Sequence, residues 1–573
     1  MKRIKKLASL MLAAILVLAM GIQVMANEVP VTITLPEEAL LDGHEFTAYQ
    51  IFTGTQANVE DQLASVEWAS EINAKDFLAE LNGLEAFKDC TTARDVAEAL
   101  ATNTALAEQV AQIAYKHVQG AGRKLQAGAN SMPAGYYLIV DTTENVGADG
   151  VYNAALLQAT KNVEVQVKTD KPSLDKKITE NGKPVDFNNG AIGQVVNYEL
   201  TSKVPDMSHY VNYKYVVTDV MSKGLTLNKD SVKVTVGGKD AAYTLDDTIS
   251  IPDGAGADYA DGTAFKIVFT DFYETYKNSK GAEIKITYSA TINENAVIGT
   301  VGNPNEASLK YSNNPNKVGE GDDFPENPDE NDPSGKTPWD ETRTFVTAIE
   351  LFKTDENGNA LPGAQFKITG TKLITTLVTG IEYVEKANGG YWQIQDDEGN
   401  ISYTDVAPTT QGLSDAAKAK YVNPDVQYGK ETANRKVTEA EAVNATAEVG
   451  VDGILRIEGL AAGDDYVITE IMAPNGYNLL ANPIKLVINY ADPAEGQTTC
   501  TWSGTYDLQD GNGAKELGFN GDIGALTFSV ENKSGSLLPS TGGIGTTIFY
   551  VVGGVLVAGA GILLVTKKRM SAR

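Results

Sequence analysis

Residues 466–477 read Tyr-Val-Ile-Thr-Glu-Ile-Met-Ala-Pro-Asn-Gly-Tyr. In an extended strand alternate side chains point to the same face, so Glu470 shares a face with Tyr466 and Ile468. A carboxyl group among apolar side chains is unusual because burial disfavours its charged form. The segment therefore predicts a strand that carries a functional carboxyl group into a β-sheet core.

Two other segments of the same region place polar groups in a similar way. In Ile349-Glu-Leu-Phe-Lys353 the alternation puts Lys353 on the face of Ile349 and Leu351. The last apolar strand pattern, residues 526–532, ends in Asn532. An amine, a carboxyl group and an amide are thus predicted on three strands of one domain.

These three segments resemble the first strand, the E-box and the last strand of collagen-adhesin B-type domains, with Ile468 at the leucine position of the E-box. The resemblance implies an intramolecular isopeptide bond between Lys353 and Asn532, with Glu470 as the catalytic residue. Burial would let Lys353 lose its proton while Glu470 keeps its own. Glu470 would then donate to the Asn532 carbonyl oxygen and relay protons to the departing ammonia. The alternative is a buried Lys–Glu ion pair with a surface asparagine.

Residues 169–346 show alternating strand patterns separated by Gly, Asn and Asp, which predicts a β-sandwich. The alternation places Lys176 on the face of Leu174 and Ile178, whereas Lys177 faces the other side. Lys176 is therefore the candidate buried amine of this second domain.

This region resembles the second domain of Gram-positive fimbrial shaft proteins. The resemblance implies an isopeptide bond between Lys176 and Asn305, with Asp219 as its catalytic residue. Asn303 and Asn313 are the alternative amides. A capping or turn role is the ordinary explanation for any of the three, because asparagine is common in turns.

Residues 27–168 predict short strands around a helix-prone middle near 59–118, which is rich in Ala, Glu and Leu at helical spacing. No Lys-to-Asn arrangement is evident in this first domain. The segment Val163-Glu-Val165-Gln-Val-Lys168 resembles the V-x-V-Y-P-K pilin motif of shaft pilins, with Gln and Val in place of Tyr-Pro. That resemblance implies that Lys168 attacks the sortase acyl-enzyme of another subunit. Lys161 and Lys171 are alternative linking residues. The other interpretation is that Lys168 is an ordinary solvent-exposed lysine at a strand edge, with no role in linkage.

At the C-terminal end the pentapeptide Leu-Pro-Ser-Thr-Gly (538–542) is followed by an apolar run and a basic tail. This order resembles the cell-wall sorting signal of Gram-positive surface proteins. An apolar run at about 544–565 is long enough to span about 30 Å of hydrocarbon as a helix, and Lys567, Lys568 and Arg569 would remain cytoplasmic. The resemblance implies sortase cleavage after Thr541 of the pentapeptide Leu538, Pro539, Ser540, Thr541 and Gly542.

At the other end, a basic segment and an apolar stretch predict a secretory signal peptide cleaved after Ala26. Removing both ends takes away eight of the 47 basic residues and none of the 75 acidic ones, which leaves 39 basic residues and a net charge of −36. Such a charge disfavours binding to nucleic acid. Only Cys90 and Cys500 are present, so a disulfide framework is not expected.

The sequence contains few of the residues that common enzyme sites use. It has three histidines and lacks the G-x-S-x-G, H-E-x-x-H and paired-Cys metal patterns. The acidic stretch from Asp322 to Asp332 lacks the spaced ligand pattern of a calcium loop and is predicted to be a solvated loop. We therefore expect no enzyme, no cofactor and no metal site.

The sequence predicts a mainly β protein of tandem immunoglobulin-like β-sandwich domains of the collagen-adhesin type, with a helical insertion in the first domain. The predicted parts are a signal peptide (1–26), an N-terminal pilin domain (27–168) and a second isopeptide domain that resembles the collagen-adhesin A type (169–346). They are followed by a third isopeptide domain that resembles the collagen-adhesin B type (347–533), with an insertion at about 380–445, and by a sorting signal (534–573).

The resemblances together imply the major backbone pilin of a sortase-assembled surface fimbria, attached covalently to the cell wall after a transient membrane-anchored stage. The expected partners are a pilin sortase, a housekeeping sortase, other copies of the chain, minor pilins, peptidoglycan and host surface molecules. The alternative is a monomeric wall-anchored adhesin, or a minor pilin, that binds a host protein or glycan through the third-domain insertion.

Overall fold

The structure is a computed structural model. It describes residues 30–37, 43–56, 63–147, 150–153, 156–159, 163–165, 171–210, 212–252, 256–316, 334–373, 375–397, 399, 401–408, 420–438 and 447–535. The predicted signal peptide and the sorting signal from residue 536 onwards lie outside these ranges, as does the acidic stretch 322–332.

The first domain combines two small sheets with three helices. The strand order is β5-β1-β8 in one sheet and β3-β2-β6-β7 in the other, where β4 also pairs with β2. The strands are β1 (Val31–Leu35), β2 (Phe46–Gln56), β3 (Leu63–Trp68), β4 (Arg123–Lys124), β5 (Gly128–Met132), β6 (Gly135–Asp141), β7 (Leu156–Ala159) and β8 (Val163–Glu164), and the helices between β3 and β4 are α1 (Ala74–Leu81), α2 (Ala93–Thr102) and α3 (Ala107–His117).

The three helices confirm the helical insertion expected in the first domain. Local sequence signals explain where they form. Thr92 caps α2: its side chain accepts from the Asp95 amide, and the Asp95 carboxylate accepts from the Thr92 amide. Each helix buries one apolar face, including Phe77 and Val96, in a core shared with β2 and β6. The helical segment therefore packs as part of the first-domain core.

The second domain is a sandwich of two antiparallel sheets with strand orders β10-β9-β12-β18-β14-β15 and β11-β21-β19-β13-β17-β16, and β20 pairs with β19. Alternating burial along β12 is the pattern of a strand with one face in a core. The strands are β9 (Asp175–Glu180), β10 (Lys183–Val185), β11 (Phe187–Asn189), β12 (Val195–Lys203), β13 (Tyr215–Met221), β14 (Leu225–Val236), β15 (Lys239–Asp240), β16 (Tyr243–Asp246), β17 (Thr263–Phe269), β18 (Glu283–Ile292), β19 (Asn303–Ser312), β20 (Ser334–Lys336) and β21 (Asp340–Phe345), with a short helix α4 (Phe272–Tyr276) after β17.

The third domain has one long ladder of strands, β33-β32-β31-β30-β23-β28-β24-β29-β22-β35-β34, and β27 pairs with β24. The rings of Tyr506 and Phe528, on β32 and β35, lie 5.0 Å apart, so the ladder curls until distant strands face each other. Its strands are β22 (Thr347–Thr354), β23 (Gln365–Thr369), β24 (Thr375–Glu385), β25 (Trp392–Gln395), β26 (Ile401–Thr404), β27 (Tyr428–Thr438), β28 (Ala447–Glu448), β29 (Ile454–Leu460), β30 (Gly463–Met472), β31 (Ile484–Ala491), β32 (Thr501–Asp507), β33 (Lys515–Glu516), β34 (Gly518–Asn520) and β35 (Ala525–Glu531).

The insertion expected at about 380–445 begins inside a strand of the main ladder. Strand β24 pairs with β29 through Leu377–Thr379, and it forms a long hairpin with β27. Strands β25 and β26 form a separate hairpin between them. The inserted residues thus extend the core sheet through β24 and β27.

The chain forms two compact units. One contains the residues up to Asn188 together with Gln194–Val297 and Gly302–Thr344, and the other contains Asn189–Gly193, Ile298–Val301 and the residues from Phe345 onwards. The boundary between the first and second domains, at 168/169, remains a sequence prediction.

The described ranges bear on the sequence predictions for a membrane-spanning helix, a metal site and disulfide bonds. Within the described ranges no helix is both long and apolar enough to cross a bilayer, and the apolar run 544–565 lies outside them. The same ranges hold no group of three or more His, Cys, Asp or Glu side chains arranged to bind a metal ion. Both cysteines are buried free thiols.

Candidate isopeptide sites

The second-domain candidates converge in the middle of the sandwich. Lys176 lies on β9, whereas Asp219 and Asn305 lie on β13 and β19 of the opposite sheet. All three side chains are 0 % exposed. The register pairs Asp219 with Ala307 on the neighbouring strand, so Asp219 and Asn305 project from adjacent strands towards Lys176.

The Lys176 amine makes three side-chain hydrogen bonds. Its Nζ donates to Asp219 Oδ2 at 2.5 Å and to Asn305 Oδ1 at 2.8 Å. It also donates to Tyr288 Oη at 2.8 Å. An ammonium group has three donors, so these contacts satisfy it fully. The amine therefore lies within hydrogen-bonding distance of the Asn305 carboxamide, which the sequence analysis predicts as its partner.

Tyr288, on β18, is a member of this cluster that sequence analysis missed. Its hydroxyl donates to Asp219 Oδ2 at 2.6 Å and accepts from Asn305 Nδ2 at 2.9 Å. Its ring stacks on Tyr198 at 5.1 Å and meets Phe265 edge-on. The alternation of β18 predicts a buried residue at this position, but an aromatic residue on a core face gives no sign of a polar role.

Burial dominates the electrostatics of this cluster. It lowers the pKa of the Lys176 amine, and the nearby Asp219 carboxylate opposes that shift. Burial also raises the pKa of Asp219, against the opposing charge of Lys176. Among the described residues, Asp219 Oδ1 has no hydrogen-bond partner. Both shifts favour a neutral amine beside a neutral carboxylic acid.

The alternative asparagines lie elsewhere and bind backbone groups. Asn303 accepts from the Val297 amide at 2.7 Å and donates to the Thr344 carbonyl at 3.2 Å. Asn313 donates to the Gly150 carbonyl of the first domain at 3.1 Å. Of the three candidate amides, Asn305 is the one within hydrogen-bonding distance of Lys176.

The third-domain candidates lie at the ends of neighbouring strands. Lys353 is on β22, which runs parallel to β35 with Lys353 opposite Val530. Asn532 follows β35, and its amide donates to the Thr354 carbonyl at 2.9 Å. Glu470 comes from β30, which does not pair with either of these strands. The curled ladder therefore brings the carboxyl group to the amide from another strand of the domain.

Glu470 holds the Asn532 amide directly. Asn532 Nδ2 donates to Glu470 Oε1 at 2.8 Å, and the Leu480 amide donates to Glu470 Oε2, also at 2.8 Å. The Asn532 Oδ1 atom has no hydrogen-bond partner in the part of the chain that the structure describes. The expectation from sequence, that Glu470 contacts the carbonyl oxygen, therefore differs from the structure, in which the nitrogen faces the carboxyl group. That nitrogen is the atom that would leave as ammonia.

Lys353 is 0 % exposed and sits beside the amide without bonding to it. Its Nζ donates to the Val530 carbonyl at 3.1 Å and lies 3.5 Å from the Thr354 carbonyl. Burial lowers its pKa to about 8, although the Glu470 and Glu531 carboxylates act in the opposite direction. Burial likewise raises the pKa of Glu470, against its hydrogen bond from Leu480. Both shifts are in the direction of a neutral amine and a protonated acid.

The candidate linkage residues are only partly covered by the described ranges. Lys168 and Lys161 lie outside them, as do Leu538, Pro539, Ser540, Thr541 and Gly542. Lys171 is exposed. Val165 is buried in the first-domain core, and its amide donates to the Thr34 carbonyl at 2.8 Å, so the chain is fixed three residues before Lys168.

Three family models match the chain. A model described as Gram-positive pilin backbone subunit 2, Cna-B-like domain, matches residues 192–315. A prealbumin-like fold domain matches residues 347–502, and an LPXTG cell wall anchor motif matches residues 530–571. The chain is thus similar to Gram-positive pilin backbone subunits over most of its second domain, and it carries a cell-wall anchor motif at its C-terminal end. These matches support a structural pilin subunit that is attached to the cell wall.

The proteins to which the chain is similar include backbone pilins. The chain is 26 % identical over 467 residues to the trypsin-resistant surface T6 protein of Streptococcus pyogenes serotype M6, covering 77 % of this chain and 80 % of that protein. The solved T6 backbone pilin of that organism has 17 % identity and a TM-score of 0.47, with 88 % of this chain and 98 % of that one covered. The major pilin SpaD of Corynebacterium diphtheriae has 14 % identity and a TM-score of 0.42, with 89 % and 98 % covered.

The mainly β architecture of tandem sandwich domains predicted from the sequence is confirmed by the strands of the structure and by these domain matches. The family model for the anchor confirms the sorting signal identified at the C-terminal end.

Proposed function

We propose that this chain is a backbone pilin and that a pilin sortase polymerises it covalently. The enzyme cleaves between Thr541 and Gly542 and holds the subunit as a thioester through Thr541. The amine of Lys168 on another copy then attacks that thioester, giving a Thr541–Lys168 amide. Each subunit is linked to one neighbour through Thr541 and to the other through Lys168. Because these two positions differ, the product is an open head-to-tail fibre.

We also propose that two intramolecular isopeptide bonds, Lys176–Asn305 and Lys353–Asn532, stabilise each subunit. The observation that carries this proposal is that each domain buries a lysine, an asparagine and a carboxyl group together. Lys176 donates to both Asp219 and Asn305, and Asn532 donates to Glu470. Burying a lysine at 0 % exposure costs free energy that ordinary packing does not require. An amide link removes the titratable amine altogether.

The reaction needs no external reagent. The neutral Lys353 Nζ attacks Asn532 Cγ, a C–N bond forms, and the bond from Cγ to Nδ2 breaks as ammonia leaves. The Nζ atom gives up one proton and the departing nitrogen gains one, with Glu470 as the carrier. Fixed proximity makes the step effectively unimolecular. The same balance applies to Lys176, Asn305 and Asp219.

Intact mass tests the cross-links. Residues 27–541 should have a mass below that of the plain sequence by two ammonia molecules, about 34 Da in total. The isosteric variants Glu470→Gln and Asp219→Asn should each restore one ammonia, and the double variant both. Lys177→Ala, which alters the neighbouring lysine that faces away from the core, is the matched control and should keep the full loss. A wild-type mass equal to that of the plain sequence contradicts both bonds.

Covalent polymerisation is tested by coexpression with the pilin sortase. The wild type should give ladders that resist boiling in SDS, and Lys168→Ala should abolish them. Persistent ladders in Lys168→Ala would transfer the linking role to Lys161 or Lys171, each tested by its own alanine variant. A wild type that stays monomeric contradicts polymerisation and favours the alternative of a single wall-anchored adhesin.

A further inference from the structure

The two candidate sites differ in how the carboxyl group reaches the leaving nitrogen. In the third domain Glu470 Oε1 accepts directly from Asn532 Nδ2 at 2.8 Å. In the second domain the hydrogen bonds of Asp219 come from Lys176 and Tyr288, and none joins it to Asn305 among the described residues. Aspartate is one methylene shorter than glutamate. A proton from Asp219 therefore needs an intermediary to reach Asn305 Nδ2.

The Tyr288 hydroxyl occupies that intermediate position. The path runs from Lys176 Nζ to Asp219 Oδ2 at 2.5 Å, to Tyr288 Oη at 2.6 Å, and to Asn305 Nδ2 at 2.9 Å. In the structure Asn305 Nδ2 donates to Tyr288 Oη, and Tyr288 Oη donates to Asp219. A proton that moves from Asp219 to Nδ2 therefore reverses the direction of both hydrogen bonds, but no heavy atom has to be displaced. The hydroxyl touches both reacting nitrogens, since Lys176 Nζ also donates to it.

We propose that Tyr288 is a catalytic residue of the second-domain cross-linking reaction, which carries the proton from Asp219 to the nitrogen that leaves Asn305. This inference rests on the proposed Lys176–Asn305 isopeptide bond. In the second domain, Asp219 and Tyr288 would together transfer the proton that Glu470 transfers alone in the third domain.

The protons and electrons balance within the cluster. Lys176 Nζ attacks Asn305 Cγ, and the carbonyl π electrons move to Oδ1. Asp219 takes the proton released by Nζ and passes its own proton to Tyr288, which gives its hydroxyl proton to Nδ2. As the carbonyl re-forms, the bond between Cγ and Nδ2 breaks and ammonia departs. Asp219 and Tyr288 end in their starting protonation states.

The surroundings keep the hydroxyl in place. The Tyr288 ring is stacked on Tyr198 and packed edge-on against Phe265, and the side chain is 3 % exposed. Water therefore has little access to the leaving nitrogen and cannot readily replace the hydroxyl as a proton donor. A Tyr288→Phe substitution keeps the ring contacts and removes only the oxygen.

The test follows ammonia loss in the chain of residues 27–541 during cell-free synthesis, with peptide mapping to distinguish the two links. Tyr288→Phe should form the Lys176–Asn305 link at least about 100-fold more slowly than wild type. Its Lys353–Asn532 link should form at the wild-type rate. The matched control is Tyr215→Phe, which removes another buried hydroxyl, bonded to Ser202 Oγ at 2.6 Å in the same sandwich. Equal rates in the two variants would overturn the role of Tyr288.

Two further measurements separate chemistry from folding. Asn305→Ala provides a second domain that cannot cross-link, and Tyr288→Phe should unfold as cooperatively as that reference. If it does not, 3-fluorotyrosine inserted at position 288 keeps the ring and the hydroxyl but makes the hydroxyl more acidic. A changed cross-linking rate then supports the proposal, and an unchanged rate overturns it. A wild type that never loses ammonia contradicts the isopeptide proposal itself.

Discussion

The lysine–asparagine pairs of the second and third domains join different parts of their folds. Lys176 and Asn305 lie on opposite sheets, and β20 and β21 follow Asn305 in the chain. Lys353 and Asn532 lie beside each other on the first strand of the third domain and just after its last strand. A bond at the first site ties two sheets together, whereas a bond at the second closes the domain at its two ends.

Under the proposed cross-linking, one reaction would take place in two different geometries. Neighbouring parallel strands leave the amide beside the lysine, and a glutamate from the facing strand can reach it directly. Across the sandwich an aspartate holds the lysine, and a tyrosine bridges the remaining distance to the amide. The position of each bond also decides which residues remain free to extend when the fibre is pulled.

Single-molecule extension between the chain ends should reveal the largest contrast. In the cross-linked protein residues 354–531 are bypassed, so the third domain should not extend. The segment 306–346 of the second domain lies outside its loop and should add up to about 140 Å. Asn532→Ala should release a further 600 Å or so, and Asn305→Ala about 430 Å. Equal extension of the two variants and the wild type would contradict the assignment of both bonds.

Thermal and denaturant unfolding should show the next largest effect. Each bond closes a loop of well over 100 residues, so the chain-entropy model assigns it about 5 kcal/mol of stability. We expect Asn305→Ala and Asn532→Ala to lose comparable amounts, each in the transition of its own domain. Calorimetry of the two variants and of Lys177→Ala, which should retain wild-type stability, measures this. A loss confined to one variant would mean that only that domain is cross-linked.

The pH dependence of stability should distinguish a free Lys353 from a linked one. Burial lowers the pKa of the free Lys353 amine to about 8, below its ordinary value of 10.5. We expect Asn532→Ala, which cannot form the bond, to keep this lowered pKa. Between these values the unfolded chain binds more protons, so the free energy of unfolding should rise with pH, by at most about 1.4 kcal/mol per unit. The wild type should lack this rise because its nitrogen is an amide.

The matched control for the pH experiment is Lys353→Met combined with Asn532→Ala, measured by urea unfolding between pH 7 and pH 10. This double variant has no titrating amine at the site and should give the same pH dependence as the wild type. A rise of equal size in the wild type would show that Lys353 remains a free amine.

A third buried carboxyl group provides the smallest expected effect. Glu448 is 1 % exposed, accepts from Lys430 Nζ at 2.7 Å and from Gln365 Nε2 at 3.2 Å, and also binds the Tyr383 hydroxyl. The set resembles the second-domain cluster in composition. The pKa of Lys430 is raised. Burial acts to lower it, but the hydrogen bond and the charge of Glu448 act more strongly in the opposite direction. The amine therefore stays protonated and cannot attack an amide.

Lys430→Met should accordingly leave the ammonia loss unchanged at two molecules, as measured by intact mass. A third loss in the wild type that disappears in Lys430→Met would show that composition alone is sufficient for cross-linking. Retention of two losses in both proteins would show that the protonation state of the lysine decides.

Much of the second and third domains could be predicted from strand alternation. It placed Lys176, Lys353 and Glu470 on apolar faces, and the structure buries all three. Strand alternation could not distinguish Asn305 from Asn303, because both lie on the buried strand β19. Only the tertiary contacts show that Asn305 bonds to Lys176 and that Asn303 bonds to the backbone. Alternation could not identify Tyr288 either, since a core aromatic residue and a proton carrier look the same in one strand.

The sequence by itself determined which groups are available: a mainly β chain, a sorting signal, and lysines and carboxyl groups placed on faces that must be buried. Period-two alternation is a local property, so it is readable without a fold. The tertiary structure decided which groups meet, that Asn532 turns its nitrogen towards Glu470, and that Tyr288 connects Asp219 to Asn305. These contacts join residues from separate strands, and their geometry depends on how the sheets pack and curl.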